Sequence, residues 1–172
     1  MSETKIDKRK QIITCLMLTM LLVHARFAIA DNVHVSDTQI TKNNVKILQS
    51  WHGDYPVAQL DLFPESQRNS AVGYIFDKKS FESVWKAFKP GDAIPVIDFR
   101  TNLVFFARNT QFYNRIRIGQ VIVKKSVAEL IAMETMSALP IEEKVAMSIV
   151  VVNRKGITGL KVGSKVVQLS SN

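Results

Sequence analysis

The chain has a single cysteine in 172 residues, and that residue, Cys15, lies in its opening segment. The remainder has neither a disulfide nor a cysteine nucleophile, so its stability must come from an apolar core. Catalytic signatures are also missing. No Gly-x-Ser-x-Gly, His-Glu-x-x-His or phosphate-cradling glycine loop occurs. Glycine (7) and proline (5) are sparse, and the chain carries no low-complexity linker and no internal repeat. The longest apolar run, residues 12–23, falls short of the roughly 20 residues that span a bilayer.

What is present at the start is a basic leader of Lys5, Lys8, Arg9 and Lys10, then that apolar run, then Ala28-Ile29-Ala30. These three parts predict a secretory signal over residues 1–30, cut between Ala30 and Asp31. A membrane anchor is the alternative, but His24 and Arg26 close the run early. Lipidation of Cys15 would require it to follow the apolar run, whereas it sits near the run's beginning. Removal of the leader leaves 142 residues, enough for one domain with its own core. Export implies a periplasmic or secreted protein with no stable membrane anchor after cleavage.

The formal net charge is +8, of which the leader contributes +3 through five Lys/Arg and two Asp/Glu. The remaining +5 is an ordinary basic surface. Export argues against nucleic acid, and it favours anionic envelope lipid or polysaccharide as an electrostatic partner.

Residues 31–44 form a polar lead-in, and residues 45–172 form the expected single β-rich domain. Alternation predicts a first strand over 45–51. The cluster His52-Gly53-Asp54-Tyr55-Pro56 predicts a turn, and residues 57–63 a second strand stopped by Pro64. A polar loop over 65–70 leads to a third strand over 71–76. The clearest helix covers 77–89, because Phe81, Val84, Trp85 and Phe88 fall at i, i+3, i+4 and i+7. Asp77 suits its N-cap, and Pro90-Gly91 its stop. Residues 94–98 are extended, since Pro95 biases Ile94 away from helix. The five apolar residues 103–107 predict a strand covered on both faces.

Residues 115–123 alternate until Gly119, where a bulge can reset the register. Residues 127–136 are ambiguous between helix and strand. Residues 139–143 are loop, and residues 145–152 are a buried strand rich in Val and Ile. Residues 157–162 and 165–169 make a hairpin across Gly163-Ser164, a glycine-first pair suited to a type II′ turn. The sum is an α+β, mostly β domain: a small antiparallel, sandwich-like arrangement of about eight short strands with one amphipathic helix.

A helix containing Phe81 and Trp85 leads into Pro95-Val96-Ile97-Asp98-Phe99, followed by the apolar strand 103–107, a polar loop and an alternating strand. This series, over roughly residues 71–155, resembles the C-terminal domain of the protease complex-stabilising proteins, which are small exported bacterial β-rich domains. The segment Met133-Glu134-Thr135-Met136-Ser137-Ala138 also resembles uncharacterised exported proteobacterial proteins. The resemblance implies a non-enzymatic domain that binds or stabilises another exported protein, and a strand over 127–135. Where that family has a Thr-Gly-Gly-Tyr turn, this chain has Gln111-Phe112-Tyr113-Asn114 with no glycine.

Isolated chemistry-bearing residues support bland readings. His52 with Asp54, and His34 with Asp37, sit in a turn and a lead-in, whereas zinc needs three or four rigid ligands. Ser83-x-x-Lys86 has the spacing of a lysine-activated serine but lies on the polar side of the helix, without that class's companion motifs. Glu142 and Glu143 belong to a loop, and Asp98 to a strand end, with no fixed separation for acid–base work. No cofactor is implied.

The best binding candidate is the polar cluster Arg108, Asn109, Gln111, Tyr113, Asn114, Arg115 and Arg117, all within ten residues. Glu134 approaches from the next loop, and Ser137, Glu142 and Glu143 are placed to do the same. Arg and Tyr are frequent anchors at protein interfaces, and Arg offers a fork to carboxylate or phosphate. The simpler alternative is that Arg115 and Arg117 form the wet face of a half-buried strand. The expectation is an exported, non-catalytic domain that binds another exported protein. The alternative is an envelope protein that binds a carboxylate, phosphate or polysaccharide through an arginine-rich strand face.

Overall fold

The computed structural model describes residues 43–169 except Ala138; the expected signal peptide, the lead-in before Asn43 with His34 and Asp37, and the last three residues lie outside the described residues. Among the described residues nine strands make two sheets. One has four strands in the order β2 (Ile47–Pro56), β7 (Lys144–Asn153), β4 (Asn102–Arg108), β3 (Val72–Ile75), all antiparallel. The other has five in the order β1 (Asn43–Val45), β5 (Ile116–Lys124), β6 (Val127–Glu134), β8 (Gly159–Val162), β9 (Lys165–Gln168). Only β6 and β8 run parallel. The mostly β, α+β architecture is the one the sequence predicts, with one α-helix among the described residues, α1 (Lys78–Phe88), and two short 3-10 helices, Val57–Leu62 and Glu65–Gln67.

Two apolar clusters divide the side chains of β4 and β7 by parity. Val104 and Phe106, with Val145, Met147, Ile149 and Val151, join Phe81, Val84, Trp85 and Phe88 of α1. Leu103, Phe105 and Ala107, with Ala146, Val150 and Val152, join Ile116, Ile118, Val121, Ala128 and Leu160 of the five-stranded sheet. The four-stranded sheet is therefore the middle of three layers. This is why residues 103–107 and 145–152 are apolar without alternation. Trp85 meets Trp51 edge-on at 4.9 Å between ring centres and Phe88 at 6.1 Å, in the tilted geometries aromatic pairs favour. Asp77 caps α1 by accepting from the Ser80 N–H at 2.9 Å.

Two sequence expectations fail between β1 and β3. Residues 52–56 are strand, not turn: each pairs with β7, from His52 opposite Ser148 to Pro56 opposite Lys144. Gly53 is extended there and serves close approach, since a Cβ would stand 2.8 Å from Lys89 Nζ, which donates to the His52 carbonyl at 3.0 Å. Residues 57–62 are a 3-10 helix, not a strand. Val57, Leu60 and Phe63 pack against the helix-side core at a spacing of three, the 3-10 repeat. The ambiguous segment resolves as a strand, Val127–Glu134, paired along its length with β5.

The bulge expected at Gly119 is present, with the β5–β6 register shifting between Ile118 and Gln120. The Ile118 N–H donates across the core to Ser148 Oγ at 3.1 Å, and that hydroxyl in turn donates to the Trp51 carbonyl at 3.3 Å. Ser148 is fully buried on the face of β7 that meets β5, so one hydroxyl serves both sheets. The β5–β6 turn is built from Lys125 (φ 48°) and Ser126 (φ 66°), both left-handed, as a type I′ turn requires. The β8–β9 turn has Gly163 at φ 59° as its only left-handed residue, in keeping with type II′.

Replacing Ser148 with alanine strands a buried N–H and is expected to cost about 1–3 kcal/mol in urea unfolding. Ser126→Gly removes left-handed strain from a side-chain-bearing residue and should stabilise by about 1 kcal/mol in the same assay, its carbonyl bonds to Thr158 and Gly159 being unaffected.

Candidate functional site

The parity that carries Val104 and Phe106 toward the helix side carries Arg108 there too. The residue is 2% exposed, and its guanidinium lies over Phe63 and Phe106 at 5.2 and 5.7 Å. Nε donates to the Ser70 carbonyl at 2.9 Å, and Nη2 donates to the carbonyls of Gln67 (2.9 Å) and Arg68. These bonds bind the turn around the second 3-10 helix to the end of β4. Arg108 is thus set apart from the surface arginines with which the sequence groups it. Burial lowers its pKa, and burial likewise pushes the Tyr55 phenol upward, an effect the Arg108 charge partly offsets.

The rest of the polar cluster does converge. Asn109 donates to Glu134 Oε2 at 2.7 Å, and its Oδ1 accepts from the amides of Gln111 and Phe112. That pattern is an Asx-type turn, so Asn109 shapes the loop as well as joining it to β6. Phe112 forms a bridge with Pro140, and the Tyr113 N–H donates to the Leu139 carbonyl at 2.9 Å. The Tyr113 hydroxyl donates to Asp54 Oδ1 at 2.6 Å. Arg115 exchanges backbone and hydroxyl bonds with Thr135. Asn114 packs beneath, its Oδ1 buried without a partner among the described residues.

Tyr113 stands between two shallow clefts. One, of about 320 Å³, is lined by His52, Asp54, Arg115 and Ile116. The other, of about 380 Å³, is lined by Leu139, Pro140, Glu142, Glu143 and Lys144. Sequence reasoning paired Asp54 with His52 in an expected turn and not with Tyr113; its place in a paired strand is what turns it toward Tyr113. Arg115, just before β5, and Arg117, within it, are exposed and make no ion pair among the described residues. Arg117 faces Met133 rather than an acid across the ladder.

The same corner carries exposed apolar side chains. Phe112, Ile131, Met133, Met136 and Leu139 all reach solvent, Met136 fully so (101%). Isolated exposed apolar residues are commonplace, but a concentration of them is informative. Sequence reasoning missed this feature because it sought polar chemistry in that stretch.

The other sequence candidates stay apart. The Ser83 hydroxyl donates to the Lys79 carbonyl of its own helix at 3.1 Å. Asp98 accepts from Arg100 and Thr101 and shapes the turn before β4, its carboxyl held below the usual range chiefly by the Arg100 side-chain hydrogen bond. Among the described residues, no group of three His, Cys, Asp or Glu is placed to hold a metal ion. Nor is any described helix long and apolar enough to cross a membrane. A comparison with protein-family models, curated proteins and solved structures finds no match for the chain.

The bond to Asp54 holds Tyr113 in its protonated, donating form and raises its pKa above the ordinary phenol value, with partial burial and the Asp54 charge adding to it and Arg115 opposing. The stability this bond contributes is present below the ordinary phenol pKa and is lost as pH rises through the raised one. Asp54→Ala should shift the Tyr113 ionisation to lower pH in a spectrophotometric titration read against a Tyr113→Phe control.

Proposed function

We propose that the chain is an exported, non-catalytic domain that binds another exported protein through the corner formed by loop 109–114, the end of β6, residues 135–137 and Leu139-Pro140. The observation that carries this reading is the exposed apolar group Phe112, Met133, Met136 and Leu139 flanked by Arg115, Arg117, Gln111 and Glu134. Interface cores are enriched in aromatic residues, Met and Arg, and polar residues rim them. Methionine adapts its shape to a partner surface at little cost. The loop is held by Asn109, the Phe112–Pro140 bridge and the Tyr113–Asp54 bond, so a partner meets a pre-ordered surface. The predicted signal over residues 1–30 supports export.

A second reading, an anion-binding face, rests on Arg115 and Arg117, which are exposed just before and within β5 without an ion pair among the described residues. Ionic strength separates the two. Arginine–phosphate or arginine–polysaccharide binding fades steeply with salt, whereas an apolar-cored interface does not.

The test is crosslinked capture from the native envelope fraction with tagged wild type, a Met136→Asp/Leu139→Asp variant and an Arg115→Ala/Arg117→Ala variant. One dominant partner retained at high salt, and lost with the aspartate substitutions, is the expected outcome. A partner held equally by both variants, or none, refutes the protein-binding reading. A salt-labile ligand lost only with the arginines favours the second.

A further inference from the structure

On the helix side of the middle sheet, beginning at the first residues of loop 109–114, a cavity of about 390 Å³ is lined by Val57, Leu60, Ile141 and Val145 and by Arg68, Asn69, Arg108, Asn109 and Thr110. Its two kinds of lining come from different places. The aliphatic residues belong to the first 3-10 helix and the segment entering β7, which are joined by the Val57 N–H donating to the Glu143 carbonyl at 2.9 Å. The polar residues belong to the end of β4, the start of the loop after it and the turn around Arg68, with the Arg108 N–H donating to the Ala71 carbonyl at 2.8 Å. The volume lies within the range of small-molecule sites, and aliphatic walls with a few polar groups are the usual composition.

Arg108 is unusual among the residues lining it. A buried guanidinium ordinarily has a carboxylate partner, because desolvating a lone cation costs several kcal/mol. Here three backbone carbonyls and two aromatic faces compensate the charge, and no described Asp or Glu pairs with it. Nη1 remains buried and without any hydrogen-bond partner among the described residues. An unmade bond at a buried charged donor is expensive, so the site is short of one acceptor, preferably an anionic one. Arg68, exposed at the same cavity, adds a second positive charge.

We propose that this cavity binds a carboxylate bearing a short aliphatic chain, with the carboxylate on Arg108 and Arg68 and the chain against Val57, Leu60, Ile141 and Val145. Phosphate and sugar are disfavoured by the aliphatic wall, and an alcohol or amide forgoes the charge-assisted bond. A free fatty acid and the C-terminal aliphatic residue of a peptide present the same chemistry. The cavity shares Asn109 and Thr110 with the start of loop 109–114, but the inference does not rest on protein binding at the corner, and the two tests fail separately.

Protein produced from the full-length chain is titrated calorimetrically with octanoate, with octanol, and with a short peptide ending in leucine as free acid or as amide. At least one acid should bind, about tenfold or more tighter than its uncharged counterpart. Binding by octanoate points to a free acid as the source; binding by the peptide acid alone points to a chain terminus. Arg68→Ala, an exposed change that leaves the Arg108 clamp intact, should weaken the acid about tenfold, and Ile141→Trp, which fills the aliphatic side, by at least as much. Failure of both acids to bind, equal binding of the uncharged analogues, or indifference to both substitutions overturns the proposal.

Discussion

Everything in this domain depends on the middle sheet being buried on both faces. β4 and β7 have no solvent side: odd and even residues enter different cores, one shared with α1 and one with the five-stranded sheet. Covering two faces of one sheet gives a chain without disulfides a large apolar interior. It also leaves little room for polar atoms, and the exceptions are informative. Ser148, on the face toward β5, completes a bond that the bulge at Gly119 leaves open. Arg108, on the face toward the helix, fastens a turn through three carbonyls. In both cases strand parity decides what the polar group meets.

The parts legible from sequence were those with a strong period or strong punctuation. The i, i+3, i+4, i+7 stripe placed α1, and the unbroken apolar runs placed β4 and β7 as doubly covered strands. The bulge at Gly119 and the glycine-first turn at Gly163 followed from single residues. The errors cluster where local chemistry and tertiary pairing disagree. His52-Gly53-Asp54-Tyr55-Pro56 has the composition of a turn, yet ten residues of β7 are available to pair with it, and Tyr55 is drawn fully into the core. Residues 57–63 contain apolar side chains every third position, which period-two reasoning reads as a broken strand.

The candidate site divides in the same way. Nearness in sequence grouped Asn109, Gln111, Tyr113, Asn114 and Arg115, which the structure keeps together, whereas Glu134, expected from a loop, comes from the end of β6. Nearness placed Arg108 with them, although alternation along β4 sends that side chain to the opposite side of the sheet from β5. The partnership of Asp54 with Tyr113 and the exposed apolar residues were missed because the first is made by long-range pairing and the others carry no chemical signature of their own.

The first segment of the domain runs from one sheet into the other: β1 pairs with β5, and after Lys46 the same chain continues as β2 against β7. Strands that change sheet form corners rather than ends. With Ser148 tying Ile118 to Trp51 nearby, the two sheets share both a length of backbone and a buried hydrogen bond. Opening of either sheet thus disturbs the other, and the layers lose their structure together instead of peeling apart. With no disulfide to hold a half-open form, such cooperativity denies proteases the partly unfolded states they cut most readily.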